Sequence, residues 1–246
     1  MIASVQVADV GVSGAAALLT RSFRPEAIPG LRNGHLVFAA PLRPTVLPVP
    51  QPTRVGLIGF WSDGAAFEEF TATHPVAARL AGGWRAQLEP VRATGSWPGL
   101  PDDLGSTESA SDLPGDLDST ASASNPSPAL VLTLGRLRLG QTWRFLRASA
   151  RTEAAALAAP GLVWATGLAR PPLVFTCSLW RGTADLAAYA HTPGEHQTAV
   201  AADRQRPFHH QSAFIRFRPV RMTGHLDGVN PLAESALAPA SRPATP

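Results

Sequence analysis

The pattern of hydrophobic and polar positions changes period several times along the chain, and the order of these changes occurs twice. Short β-branched and aromatic runs, typical of strands, alternate with stretches whose apolar residues recur every three or four positions, as on a helix face. The strand-like runs cover 2–10, 34–42, 54–61 and 84–91, and again 129–138, 161–169, 173–180 and 213–218. Both sets predict the order β-α-β-β-α-β, which is the ferredoxin-like arrangement.

Local sequence similarities indicate that one module was duplicated. Residues 60–65 (FWSDGA) correspond to 179–184 (LWRGTA), and 89–95 (EPVRATG) correspond to 218–224 (RPVRMTG). A ferredoxin-like sheet has one face covered by helices and one bare face. We therefore predict an α+β fold in which two tandem ferredoxin-like modules bury their bare faces together, as a pseudo-two-fold dimeric α+β barrel in one chain.

Composition divides the chain into four predicted segments. The first module covers 1–97 and the second, which would carry the site, covers 129–228. Between them, 98–128 is acidic, rich in Ser and Pro, and poor in bulky apolar residues, so we expect a disordered linker there. The Ala- and Pro-rich stretch 229–246 is predicted to be a disordered tail.

Charge narrows the choice of partners. All 21 basic residues are arginines, and outside the predicted linker they face only 12 acidic residues. Such a basic body suits an anionic ligand or surface, although a codon bias that replaces lysine by arginine explains the composition equally well. The arginines are scattered without interleaved aromatic residues, which argues against nucleic acid.

Several classes of protein are disfavoured. The single cysteine, Cys177, excludes a disulfide framework and lies in an apolar run without the polar setting of a reactive thiol. We find no signal peptide and no apolar run of the ~20 residues that a membrane helix needs, so we expect a cytoplasmic protein. Zinc-site motifs, a Gly-x-Ser-x-Gly elbow and a glycine-rich phosphate loop are also missing.

The second module is expected to carry the chemistry. The interval from Trp180 to Pro219 is ten residues longer than the corresponding interval from Trp61 to Pro90 in the first module. It holds four of the seven histidines, whereas the first interval holds one. Thr192, Pro193 and Glu195 suit the start of a helix with a capping box. His196 then shares a stripe with Ala199 and Val200, and this stripe should face the sheet.

An imidazole in an apolar space beside a small residue can bind a flat metal cofactor, because Ala199 leaves room for it. From spacing alone, a core or capping histidine is the more common outcome for His196. His209 and His210 are adjacent and cannot both point to one side of an extended chain, so the pair is a poor chelate. We interpret this pair as part of a solvated loop.

The closing strand presents two different faces. Ala213, Ile215 and Phe217 lie on one side, whereas Phe214, Arg216 and Arg218 lie on the other. If the apolar side meets the helices, the arginines line the space between the sheets, where they could hold an anionic ligand or polarise bound oxygen. An ion pair between Arg218 and Glu89 is an equally good interpretation.

The order of these pieces resembles the spheroidene monooxygenase family of carotenoid-modifying oxygenases. The matching pieces lie in both modules and cover most of the chain except the linker and the tail. They are 59–62, 82–84, 95–99, 178–180, 189–190, 194–196, 199–201 and 214–219.

The resemblance implies a dimeric α+β-barrel oxygenase that holds haem b and inserts oxygen into an apolar, carotenoid- or natural-product-like substrate. It implies that His196 is the axial ligand of the iron, with Ala199 beside the cofactor. Arg216 and Arg218 would then lie near a propionate or the oxygen side. Trp180 and Phe214 would form a wall of the substrate site. Molecular oxygen and an electron donor would be required, and peripheral membrane contact and oligomerisation are compatible with such an enzyme.

Two other hypotheses stay open. The same fold could serve a cofactor-free oxygenase or isomerase of an antibiotic-biosynthesis type, acting on polyketide-like aromatics. It could also serve a non-catalytic module that binds haem or lipid.

Overall fold

The computed structural model describes residues 1–20, 23–47, 49, 51–101, 104, 128–191, 193–226 and 230. Most of the predicted linker and nearly all of the predicted tail therefore lie outside the described residues. The described start of the predicted linker packs against the protein, since Leu100 and Leu104 contact the main hydrophobic cluster. The amide of Ala93 also donates to the carbonyl of Leu104 at 3.0 Å.

The first half of the chain contains four strands and three helices. The elements are β1 (Ile2–Asp9), α1 (Gly11–Thr20), β2 (Leu31–Pro41), β3 (Arg54–Trp61), α2 (Gly64–Thr73), α3 (Pro75–Leu80) and β4 (Trp84–Gly95). Helix α2 begins at Gly64 because the Asp63 carboxylate accepts a hydrogen bond from the amide of Ala66 at 2.9 Å. Helix α3 begins with Pro75, which needs no amide donor at that position.

The second half repeats the same order of elements. They are β5 (Ala129–Leu137), α4 (Thr142–Leu157), β6 (Leu162–Arg170), β7 (Leu173–Trp180), α5 (Thr183–His191), α6 (Glu195–Gln205) and β8 (His209–Thr223). The prediction for the start of α6 was wrong. Gly194 is its N-cap and makes no side-chain cap, so Pro193 precedes the helix and Glu195 is its first residue. Thr192 lies outside the described residues.

The eight strands form one closed antiparallel barrel in the order β1-β3-β2-β6-β7-β5-β8-β4. Each half contributes four neighbouring strands. The halves meet at two seams: β4 pairs with β8 from Arg85 to Gly95, whereas β2 pairs with β6 only from Phe38 to Pro41. The α+β class predicted from the sequence is confirmed. The strands form the barrel, and the helices lie on its outside.

Apolar side chains from both halves fill the barrel interior. On β4 the inward residues are Trp84, Ala86 and Leu88, and on β8 they are Ala213, Ile215 and Phe217. A second cluster between the barrel and α1–α3 contains Trp61, Phe67 and Phe70. A third and smaller cluster lies between the barrel and α5 and contains Trp180 and Leu186.

No helix in the described part of the chain is both long and apolar enough to cross a membrane.

Candidate functional site

The helix layers of the two halves are packed differently. All eight residues of β3 are buried, and α1, α2 and α3 each bury at least two apolar residues against the barrel. In the second half, the 16-residue helix α4 fully buries only Ala150, and α6 fully buries no residue. The first layer is therefore closed, whereas the second leaves its sheet face partly uncovered.

The uncovered face is centred on Thr133 of β5. Leu132 and Leu134 point into the barrel, so Thr133 points outward. It is paired with Thr176 of β7 and Phe214 of β8, and yet it is exposed, although it lies in the middle of a central strand. Solvent thus reaches the middle of the sheet on its helix side. We call this space between the outer face of β5, β7 and β8 and the helices α4–α6 the second-half cleft.

His196 lies at the α6 side of this cleft and is not free in solvent. Its ring centroid is 5.1 Å from that of Tyr189 on α5, and Tyr189 packs on Trp180 of β7 at 5.0 Å. Burial lowers the pKa of His196, so its imidazole is neutral at neutral pH. Burial raises the pKa of Tyr189 to about 12, and its hydroxyl donates to the carbonyl of Thr152 at 3.3 Å.

The predicted stripe of α6 is its less exposed side. His196, Ala199 and Val200 are half-buried, whereas Thr198 and Ala201 are exposed. The first turn of the helix is held against α5, because the Gln197 side-chain amide donates to the carbonyl of Ala190. The periodicity at i, i+3 and i+4 therefore placed His196 on the inner side of the helix layer.

The structure adds a histidine–carboxylate pair that sequence reasoning missed. Asp203, at the end of the same stripe, accepts a hydrogen bond from the amide of Phe208 at 2.6 Å, and its Oδ1 lies 3.7 Å from Nδ1 of His209. Burial acts to raise the pKa of Asp203, but the nearby His209 and the hydrogen bond from the Phe208 amide outweigh it and the pKa is lowered. The carboxylate is thus ionised beside the imidazole.

His209 is held in place by its surroundings. Its ring meets Phe145 of α4 edge-on at 5.3 Å. It also lies directly over Gly135, where a Cβ would be 2.5 Å from the imidazole Cδ2. The interpretation of both histidines as a solvated loop was wrong for His209, which begins β8 and is half-buried, whereas His210 is exposed. The one available signal was Asp203, seven residues after His196 on the same stripe.

The predicted position of the two arginines between the sheets was wrong. The apolar side of β8 fills the barrel, so Phe214, Arg216 and Arg218 point outward. Arg218 is exposed at the surface and forms an ion pair with Glu89 of the adjacent strand β4, which is the alternative interpretation. Arg216 is half-buried and lies two residues after Phe214, on the face that borders the second-half cleft.

Trp180 and Phe214 share the small cluster on the outer side of β5, β7 and β8 with Ala129, Val131 and Leu186. The indole Nε1 of Trp180 donates to the Ser178 hydroxyl at 3.0 Å. Cys177 lies inside the barrel, where burial raises the pKa of its thiol, in line with the prediction that it is unreactive.

A haem group fits the donors that the cleft offers. Among the described residues, no group of three or more His, Cys, Asp and Glu side chains is arranged to hold a metal ion. Haem iron needs only one protein ligand, and a neutral imidazole is the most common one. His196 supplies that donor, and the exposed centre of the sheet leaves a face that α6 side chains do not cover.

Neither a known family model nor a curated protein matches the sequence. Solved structures show distant similarity across most of the chain. An aldoxime dehydratase in complex with butyraldoxime has 8% identity and a TM-score of 0.47, covering 89% of this chain and 79% of its own. A ferredoxin-fold protein from Listeria monocytogenes, related to antibiotic biosynthesis monooxygenases, has 11% identity and a TM-score of 0.32, covering 89% and 95%. The heme-degrading enzyme LmHde from the same species has 11% identity and a TM-score of 0.29, covering 86% and 98%.

Proposed function

We propose that the barrel consists of two copies of one ferredoxin-like module, 1–97 and 129–228, arranged as a pseudo-two-fold dimer in one chain. The identical order of elements in the two halves supports this, as does the strand order, in which each half reads fourth, first, third, second from one seam to the other. The stretches 98–128 and 229–246 would be the linker and the tail.

We propose that the second-half cleft is the active site of a haem-dependent oxygenase, with His196 as the axial ligand. The observation that carries this proposal is the asymmetry of the two helix layers, because only the second leaves a sheet face open beside a neutral, inward histidine. The resemblance of this segment to the spheroidene monooxygenase family supplies the reaction class. Bound haem would activate molecular oxygen for insertion into the substrate.

The residues of the chain would bind and orient the reactants. Tyr189 fixes the ring of His196 from α5, and Gln197 fixes the start of α6, so the imidazole is pre-organised for a ligand. Phe214 gives an apolar wall on the sheet side, with the buried Trp180 in the cluster behind it, and Ala199 keeps the helix side narrow. Arg216, on the same face as Phe214, is the cation that could hold a propionate. Arg218, paired with Glu89 at the surface, has no part in this arrangement.

The proposed substrate is an apolar small molecule of the carotenoid or natural-product type, with oxygen and an electron donor as co-reactants. An apolar ligand suits a cleft bordered by the half-buried Phe214 and Phe145. We propose no nucleic acid partner. We propose a cytoplasmic location, contact with a membrane surface and self-association.

The test of His196 uses the visible spectrum of the purified protein supplied with haem. We expect wild type and the control His191→Gln, at the exposed end of α5, to show the same Soret band. His196→Gln should lose the band or shift it, because glutamine offers no imidazole nitrogen to the iron. Identical spectra for the wild type and His196→Gln would exclude this residue as the ligand.

The Asp203–His209 pair favours a second candidate, a cofactor-free oxygenase. The ionised carboxylate lies beside Nδ1 of the imidazole and would orient the ring, as a general base requires. His209 would accept a proton from an activated ring CH₂ of an aromatic substrate. The resulting carbanion would reduce molecular oxygen, so that CH₂ and O₂ become a ring carbonyl and water.

This candidate predicts oxygen consumption by a metal-free preparation with an anthrone-type substrate. His209→Gln should lower the rate by about 10²-fold or more, the usual contribution of a general base. The adjacent, exposed His210→Gln is the matched control and should keep the wild-type rate. Equal rates for the two variants would remove His209 from the mechanism. If the protein binds haem but no turnover occurs with oxygen and any electron donor, a non-catalytic haem-binding module is the remaining hypothesis.

A further inference from the structure

A second polar cluster lies inside the barrel, on the other side of the sheet from the second-half cleft. It is formed at one end of the barrel by Asn33 and His35 of β2, Trp97 after β4 and Phe175 of β7, together with the exposed Arg136 at the end of β5, whose charge acts on His35. The ring of His35 is 5.8 Å from that of Trp97 and 5.5 Å from that of Phe175, and Trp97 meets Phe175 edge-on at 5.5 Å. We call these five residues the barrel-end cluster.

Three buried polar atoms of this cluster have no hydrogen-bond partner among the residues that the structure describes. They are Oδ1 of Asn33, Nε2 of His35 and Nε1 of Trp97. Buried polar groups in proteins are almost always satisfied by protein, water or ligand, since an unmade bond is costly. Two of these atoms belong to rings in contact with each other, and Asn33 lies two residues before His35 on the same strand, so the three form one group rather than isolated exceptions.

The chain that closes this end of the barrel is held tightly. Trp97 is only 4% exposed, and Gly99 adopts a positive φ of 90°. A Cβ on Gly99 would lie 2.8 Å from the Cβ of Asn33, so only glycine lets the segment pass this close to β2. At the β2–β6 seam, β6 pairs with β2 only from Phe38 onward, and among the described residues 31–37 have no strand partner on that side, so a ligand would enter here.

The charges of the cluster favour an anionic ligand. Burial, together with the positive charge of Arg136, lowers the pKa of His35 to about 4, so the imidazole is neutral at neutral pH. The guanidinium of Arg136 is then the cation of the cluster, and Trp97 Nε1 is a donor only. The Asn33 carbonyl is an acceptor and needs a hydroxyl or amide donor from the ligand.

We propose that the barrel-end cluster binds a small hydroxycarboxylate. Its carboxylate would accept a hydrogen bond from Trp97 Nε1 and face the Arg136 guanidinium, and its hydroxyl would bond to Asn33 Oδ1 or His35 Nε2. The carbon atoms would pack against the outer side of this ring cluster. This site does not depend on the proposed oxygenase function, because the sheet separates it from the second-half cleft.

The test is a calorimetric titration of the full chain with glycolate. We expect saturable binding to the wild type and affinities at least about tenfold weaker for Trp97→Phe, since a hydrogen bond to a charged group is lost while the ring is kept. Arg136→Gln should weaken binding similarly. Trp143→Phe is the matched control, because Trp143 is 53% exposed on α4, and it should bind as the wild type does.

A second measurement keeps the test decisive if a variant fails to fold. In the wild type, the indole N–H resonance of Trp97, assigned through nuclear Overhauser effects to the rings of His35 and Phe175, should shift on glycolate addition and stay unchanged with ethylene glycol, which lacks the carboxylate. If no saturable glycolate binding occurs, or Trp97→Phe binds with wild-type affinity, or the resonance does not move, the proposal is overturned.

Discussion

Burial lowers the pKa of the two histidines in the proposed sites, one inside the barrel and one outside it. His35 lies inside the barrel and His196 lies in the helix layer, and desolvation is the main reason that the pKa of each is lowered. A neutral imidazole has one nitrogen that donates and one that accepts or binds a metal. Both positions can therefore recognise a ligand at neutral pH without a change of charge.

The low pKa of His35 predicts a specific loss of stability in mild acid. Between pH 6.5 and about 4 the unfolded chain binds a proton that the folded protein does not, so the free energy of unfolding falls as the pH is lowered through this window. The contribution of His35 at pH 4.5 is of the order of 2 kcal/mol. Urea unfolding at pH 7 and pH 4.5 should show a smaller loss for His35→Gln than for the wild type.

The exposed His191→Gln serves as the control for this experiment and should follow the wild type. Carboxylates titrate in the same range, but they are common to all three proteins and cancel in the comparison. A His35→Gln variant that loses as much free energy as the wild type would show that the imidazole is accessible to protons in the folded state.

At the scale of elements, alternation along a strand shows which residues share a face but not where that face points. Trp84, Ala86 and Leu88 share one side of β4, as the sequence predicts, and that side faces the barrel interior rather than the helices. Both sides of a barrel strand are covered, one by the interior and one by helices, so an apolar face suits either environment. The positions of Arg216 and Arg218 were misassigned for this reason.

Helical spacing was more informative than strand alternation. The stripe of α6 places His196 and Asp203 on one side, and that side is the less exposed one. The contact of Asp203 with His209 could not be predicted, because it depends on Gly135 of another strand leaving room for the imidazole ring. The capping prediction failed for a local reason, since Gly194 separates Pro193 from the helix.

At the scale of the whole molecule, the two halves share one interior and differ in their outer layers. The interior cluster combines residues of β1–β4 with residues of β5–β8, so neither half encloses its own inner face. The first outer layer is filled by residues such as Trp61, Phe67 and Phe70, which pack together at ring distances of 4.9–5.5 Å. The first outer layer is therefore the more tightly packed of the two.

The shared interior predicts that the halves stay together when the chain between them is cut. With a protease site inserted between Ser111 and Asp112, the two fragments should co-elute from gel filtration in native buffer and separate only in denaturant. The long β4–β8 seam and the shorter β2–β6 seam provide backbone hydrogen bonds, and separation would expose apolar faces such as Leu88 and Phe217 to water. Native separation of the fragments would mean that each half closes its own core, and the single barrel would then be the wrong description of the protein in solution.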